Sequence, residues 1–301
     1  FSDDGRRQDL LIWRLPLRAA SGEGKFETDT QNLHMSYTLE HPNIAGIDDL
    51  GSAHGFLYLA GERVFGQSLL SLLIRCTRVR LRLPAGLAIF IARQYLAGLE
   101  ASHLRAEELG YETRCVREFS PANIFLSYEG VLKIGHRGLR PLRPSDATKR
   151  IIRSAVHPGY VSPEEAKVLE GDALSDIFRA GIILFEMLAM KRFREMVDGE
   201  PQRILDGAFV SRALSDLPGD TNNRLTQILQ KALAIDPEKR FQTANAMAKS
   251  LLSAREMDNS GSREGLSRFM KSIFAREVEQ ERKRRRGLRK QIERLDEKVI
   301  Q

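Results

Sequence analysis

The chain begins with a β-type run, "DLLIWRLPLR" at 9–18, which Pro16 ends. Residues 25–44, "KFETDTQNLHMSYTLEHPNI", place Phe26, Leu33, Met35, Tyr37 and Leu39 at helical spacing, and His41-Pro42 stops that helix. "IAGIDDLGSAHGFLYLAGERV", 44–64, predicts two strands joined by a Gly-containing turn. Residues 1–64 thus predict a small α+β unit.

After Gly66 the pattern becomes helical. "QSLLSLLIRC" is a short helix. The stretch from Leu83 to Gly110 is long and apolar on one face through Leu87, Ile89, Ile91, Tyr95, Leu96 and Leu99. "LSYEGVLKI", 126–134, predicts a hairpin turning at Glu129-Gly130, and 139–162 reads as irregular. "SDIFRAGIILFEMLA", 175–189, is apolar all round and predicts a buried helix. "NRLTQILQKALA" and "TANAMAKSLLSA" are later amphipathic helices. Residues 65–254 form this second unit, and 255–265, "REMDNSGSREG", read as a linker.

The tail, 266–301, divides in two. Leu266, Phe269, Met270, Ile273 and Phe274 recur at i, i+3, i+4, i+7 and i+8, an amphipathic helix best read as docking on the protein's own body. Beyond it the sequence favours helix except at Gly287, with Leu288, Ile292, Leu295 and Val299 forming a short a/d seam. Residues 276–301 hold ten Lys/Arg against six Asp/Glu, four of the net +7 charges of the 301-residue chain. The body is only mildly basic, which argues against a general nucleic-acid surface. The block "RKRRR", 282–286, is a candidate contact for nucleic acid or anionic lipid, against the plainer reading of a solvated helix.

Two cysteines, Cys76 and Cys115, have no metal-ligand spacing and make no secreted disulfide scaffold, so a reducing, cytoplasmic setting is expected. No apolar run approaches the roughly 18 residues of a transmembrane helix. The start, "FSDDGRRQDL", has no signal-peptide core and no initiator Met, so the chain is read as a fragment or a processed form.

Six motifs, in order, carry a family resemblance: "HPNI" at 41–44, "VREFSPAN" at 116–123, "GHRG" at 135–138, "GYVSPEEA" at 159–166, "SDIFRAGIILFEML" at 175–188 and "DPEKRF" at 236–241. They resemble, respectively, the stretch after helix αC, the H-R-D-x-x-x-x-N catalytic loop, D-F-G, A-P-E, the D-x-x-x-x-G helix and the late D-P-x-x-R motif of eukaryotic-type protein kinases, in the style of bacterial Ser/Thr kinases. The resemblance implies an α+β, bilobal kinase-like fold with a reduced β-rich N-terminal lobe and a helical C-terminal lobe. It also implies structural roles: Arg117 as the catalytic-loop Arg, Glu164 and Arg240 as a buried ion pair, Asp176 and Gly181 as anchors of the catalytic-loop backbone.

The chemical positions are mostly altered. Phosphoryl transfer rests on positioning and on neutralising charge, so each part matters. The metal-binding Asp of D-F-G falls on His136 and the next residue is Arg137. Imidazole is a poor Mg²⁺ ligand because that ion prefers hard oxygen donors, so no protein metal ligand is expected there. The catalytic base falls on Glu118, one methylene longer than Asp, behind Val116 instead of His; Ser120 replaces the loop Lys, and His157 stands where a Thr is usual. Asn123, the second metal-binding position, is kept. In the small lobe the Lys position aligns with Arg14 and the αC Glu position with Asn32, which removes the Lys–Glu pair. Glu62 and Val64 align with the hinge that would hold a nucleotide, behind Gly61 at a usually bulkier position. No G-x-G-x-x-G occurs, and the residues ahead of Leu10 are too few for that loop and its strands.

These substitutions predict a pseudokinase: a scaffold or regulatory module for a protein partner, such as an active kinase or its substrate, with no cofactor. Two alternatives stand beside it. One is a weakly active Ser/Thr kinase using ATP and Mg²⁺ with Glu118 as base. The other is a tail that binds nucleic acid or membrane. Arg140, Arg143, Lys149, Arg150 and Arg153 surround Ser145, Thr148 and Ser154, candidate phosphorylation sites in a loop whose plainer reading is a solvated segment.

Overall fold

The structure, a computed structural model, describes residues 10–16, 37–54, 56–111, 120–135, 160–167, 171–193, 201–254 and 260–300. Three strands form an antiparallel sheet near the N-terminus: β1 (Leu10–Pro16), β2 (Ile47–Ala53) and β3 (Phe56–Glu62), in the order β1-β3-β2. The run 47–62 folds back on itself at His54, which adopts a positive φ of 50°. A register shift between Ile47 and Asp49 kinks β2 against β3.

A short strand β4 (Gly66–Ser68) leads into α1 (Leu69–Arg78), so the "QS" read as helix belongs to the strand. Ser68 explains the boundary, because its side chain accepts from the Ser71 amide and caps the helix. Next come α2 (Ala85–Glu108), β5 (Ile124–Ser127) and β6 (Leu132–Ile134). β4, β5 and β6 form a second antiparallel sheet, and its hairpin starts two residues before the expected Leu126. Gly130 turns that hairpin at a φ of 80°.

The later described elements of the body are helical: α3 (Pro163–Ala166), α4 (Ala173–Ala189), a 3₁₀ turn (Pro201–Leu205), α5 (Gly207–Ser215), α6 (Asn223–Ala232) and α7 (Ala244–Ser253). Pattern reading missed α5 and the 3₁₀ turn. Caps fix the starts: Ser162 with Glu165 and Asp172 with Ser175 form capping boxes, and Asp206, Asn222 and Thr243 cap α5, α6 and α7. α4 is buried from Ser175 to Leu188, including the paired Asp176, Arg179 and Glu186, and α2 packs on α4, α7 and β6 around it. The core joins Leu72, Leu87, Ile91, Leu96, Ile124, Leu126, Phe178, Ile182, Phe185, Leu229 and Met247 into one cluster.

Two helices close the chain, α8 (Arg263–Ile273) and α9 (Ala275–Ile300). The expected linker 255–265 ends earlier than its composition suggested, because Ser262 accepts from the Gly265 amide and starts α8 inside it; 255–259 lie outside the described residues. Leu266, Met270 and Phe274 are buried on the body, with Phe269 and Ile273 packed beside them. α9 runs unbroken through Gly287, contrary to the break expected there. One glycine costs a helix only about 1 kcal/mol, less than a long flanking run of helix formers supplies. Within the expected helix over 25–44, only Tyr37–Thr38 are seen helical and 25–36 lie outside the described residues.

Candidate functional site

The seam between the two sheets brings together the "HPNI" segment, Asn123 and Gly135. After Pro42 the chain runs beside β6, making a parallel bridge from Ile44 to Ile134. The Ala45 amide donates to the Ile134 carbonyl (2.9 Å) and the Ile134 amide to the Asn43 carbonyl (2.8 Å). Asn43 Nδ2 donates to the Leu132 carbonyl at 3.0 Å and to Gln94 Oε1 at 3.1 Å, while Gln94 Oε1 also accepts the Leu132 amide at 3.0 Å. The "HPNI" segment is thereby stitched to the body by backbone groups that would otherwise be buried and unpaired.

One ion pair spans the seam. Lys133 Nζ lies 2.8 Å from Glu62 Oε2 and 3.4 Å from the Ile44 carbonyl oxygen. The same Glu62 oxygen accepts the Gly46 amide at 3.3 Å, and the Glu62 amide donates to the Gly46 carbonyl at 2.9 Å. Two groups nearby feel this pair. Burial, then the Lys133 charge, lowers the pKa of His41, whose Nδ1 accepts the Asn43 amide. Burial, then Glu62, raises that of Asp48. Sequence reasoning missed Lys133; its only signal was a charge at the middle position of a strand whose neighbours, Leu132 and Ile134, are buried.

Asn123, just ahead of β5, is exposed. Its amide donates to the Ser120 carbonyl (2.9 Å), and its carbonyl accepts the Gly135 amide at 2.7 Å. A Cβ at Gly135 would stand 2.9 Å from both that carbonyl oxygen and the Phe125 ring, so only glycine lets the end of β6 come this close. The register Asn123–Gly135 is therefore rigid, and His136 follows directly in sequence.

A buried polar network lies under α3. Arg240 NH1 and NH2 donate to Glu164 Oε1 (2.8 Å) and Oε2 (2.7 Å), and the same guanidinium bonds the carbonyls of Leu174, Ala234 and Ile235 while lying over the Phe178 ring. Burial opposes the Glu164 charge, but Arg240 outweighs it and lowers the carboxyl's pKa. Arg179 NH1 donates to Asp176 Oδ1 at 2.6 Å, NH2 pairs with Glu165, and Nε donates to the Tyr160 carbonyl at 3.1 Å. Asp176 Oδ2 lies 2.8 Å from His103 Nε2. Tyr160 Oη donates to Glu186 Oε2 at 2.7 Å and accepts from Arg192 at 2.9 Å. His103 carried no readable signal because its partner Asp176 is 73 residues away, whereas Arg179 three residues after Asp176 and Glu165 three after Ser162 were local pairs that the pattern reading passed over. Gly181 sits where a Cβ would meet Leu233 Cδ2 at 2.9 Å and Ala232 Cβ at 3.1 Å, so in the described residues its role is the close approach of α6 to α4.

Arg14 is on β1 opposite Tyr58, next to the strand that ends in Glu62; Val64 lies in the connector 63–65 between β3 and β4. Arg117, Glu118, His136, Arg137, Asn32, His157, Ser145, Thr148 and Ser154 lie outside the described residues. A kinase-like site implies ATP and Mg²⁺, so the donors need testing against that ion. Among the described residues no group of three or more His, Cys, Asp or Glu could hold a metal, and of the expected donors only Asn123 is described. The other position offers an imidazole followed by a guanidinium, and that donor set does not fit Mg²⁺. No helix among the described residues is long and apolar enough to cross a membrane.

Comparison with known proteins places this geometry. The family model for the protein kinase domain matches residues 17–252, beginning just after Arg14. The chain is 30% identical over 291 residues to the tyrosine-protein kinase MasK of Myxococcus xanthus, covering 93% of this chain and 44% of that protein. It is 29% identical over 231 residues to the Ser/Thr-protein kinase PknA of Corynebacterium glutamicum, covering 75% and 44%. It spans less than half the length of these curated relatives. Among solved structures, the PknI kinase domain of Mycobacterium tuberculosis superposes with a TM-score of 0.60 at 20% identity, over 81% of this chain and 85% of that one, and bears on the fold alone. With an α+β kinase fold, a seam built from the "HPNI" stretch and the hairpin, and a family match across most of its length, the chain belongs to the protein kinase domain family.

Proposed function

We propose that this domain is catalytically impaired and serves as a regulatory or scaffolding module for a protein partner. One observation carries the reading. The Asn123–Gly135 bond at 2.7 Å and the tight packing of Gly135 hold the end of β6 in register, and the residue that follows is His136 in place of a carboxylate. The αC Glu position, which aligns with Asn32, supports it further. The buried Glu164–Arg240 and Asp176–Arg179 pairs hold the body together whether or not it reacts.

A second reading is a working kinase. It is favoured by the relatives, which are named as protein kinases, by the carboxylate of Glu118 and by the retained Asn123. In that case ATP and Mg²⁺ are its cofactors. Phosphate transfer from labelled ATP to a generic protein separates the two, with Glu118→Ala as control. Background transfer, equal in the variant, supports impairment; robust transfer that Glu118→Ala abolishes sinks it. A melting temperature that does not move with millimolar Mg²⁺·ATP would further argue against the working kinase.

A further inference from the structure

α9 does not simply leave the body. Glu277, Glu281 and Arg285 stand four residues apart, on one stripe of the helix. Glu277 pairs with Arg75 of α1. Glu281 Oε1 lies 2.7 Å from Arg63 NH2. The Arg285 guanidinium carbon is 3.7 Å from the Phe65 ring centroid, and that of Arg63 is 5.0 Å from the same ring. Arg63 and Phe65 are in the connector 63–65, between the strand ending in Glu62 and β4, and the Phe65 carbonyl accepts the Tyr128 amide at 2.9 Å. Val278, beside the stripe, is buried, whereas Arg282, Lys283, Arg284 and Arg286 are exposed.

α8 anchors the base of this arm. Ser267 Oγ donates to the Tyr128 carbonyl at 2.7 Å and Arg263 Nε to the Glu129 carbonyl at 3.1 Å, on the hairpin that also carries Asn123 and Gly135. Arg75 lies over the Phe274 ring at the junction of the two helices.

We infer that α8 and α9 form an intramolecular brace on the connector between the lobes, with Glu281 and Arg285 as positioning residues that hold Arg63 and Phe65 in place. The physical argument is one of matched partners. An arginine beside an aromatic ring and a carboxylate is held from two sides, and each contact is worth more when partly desolvated. The Glu277–Arg75, Glu281–Arg63 and Arg285–Phe65 contacts meet α1 or the connector, so the arm's docked state and the connector's conformation are one equilibrium. The inference stands whichever reading of the cleft holds, because it concerns the connector and requires no phosphate transfer.

Hydrogen–deuterium exchange on the whole chain tests it. Glu281→Lys sets a like charge against Arg63, and Arg285→Ala removes the ring contact without reversing a charge. Both are expected to speed amide exchange in 62–66 and 275–286, by roughly fivefold for one such partly exposed pair. Exchange in α4 should stay unchanged, and the double variant Arg63→Glu/Glu281→Arg, which restores the ion pair but not the Arg63 ring contact, should recover part of the original protection. Arg282→Glu, on the exposed face, should change nothing in 62–66. Faster exchange in α9 with the connector unmoved would overturn the inference, since the helix would be a passenger. An equal rise in α4 would overturn it too, since the arm would then stabilise the body at large.

Discussion

Arg240 grips Glu164 with both terminal nitrogens, at 2.8 and 2.7 Å, across 76 residues of sequence. The guanidinium is buried and spends its remaining donors on three backbone carbonyls. Removing it takes both charged donors from the Glu164 carboxylate, which keeps the Ser175 hydroxyl at 3.0 Å, and one donor from each of those carbonyls. Arg240→Ala should therefore cost about 3–5 kcal/mol in chemical denaturation. Arg240→Lys should recover little of that, because one ammonium cannot supply the planar fork.

The same pair gives a signed pH dependence. The Glu164 carboxyl is lowered from its ordinary value of 4.5, so the folded state prefers the ionised form. Its contribution is fully present above 4.5 and is lost as pH falls through the lower folded value. Glu186 has the opposite sign: burial outweighs Arg192 and Tyr160 and raises its carboxyl. Its ionisation therefore costs stability as pH rises through the raised value. Denaturation at several pH values should show the gap between the native chain and Glu164→Gln closing below 4.5, with no matching closure for Glu186→Gln on that side.

Lys133 and Glu62 bridge the seam but are only partly shielded, with side chains 19% and 37% exposed. Water screening limits such a pair to about 0–1 kcal/mol. A double-mutant cycle with Lys133→Ala and Glu62→Ala should return a coupling in that range. A coupling several times larger would mean that the pair organises the seam backbone as well.

Gly130 meets two demands at once. Its φ is 80°, and a Cβ there would stand 2.0 Å from the Arg263 carbonyl oxygen at the start of α8. Gly130→Ala should cost about 1–3 kcal/mol through strain and overpacking. Hydrogen exchange should show the loss first in α8, whose base rests on that turn.

At the packing surface of α4, Gly181→Val would push a branched side chain into Leu233 and Ala232. The expected loss is again about 1–3 kcal/mol, read as a lower denaturation midpoint at unchanged slope.

The helices and strands that bury one face were legible in the chain itself. The mostly apolar run 175–189 read as an interior helix, and Leu266, Met270 and Phe274 announced a docked face by spacing alone. The six motifs in order carried the kinase fold, and the residue types at 118, 123 and 136 carried the question of activity. Periodicity reports which side of an element meets the core, but not which partner waits there. That is why Lys133 beside Glu62, His103 beside Asp176, and Glu281 beside Arg63 came only from the folded chain. Each joins residues tens to hundreds of positions apart, and a charge along a sequence has no period to betray its mate. The docking of α9 through Glu277, Glu281 and Arg285 was likewise a tertiary outcome, whereas its continuity through Gly287 is local, since one glycine's preference is smaller than what the flanking helix formers supply.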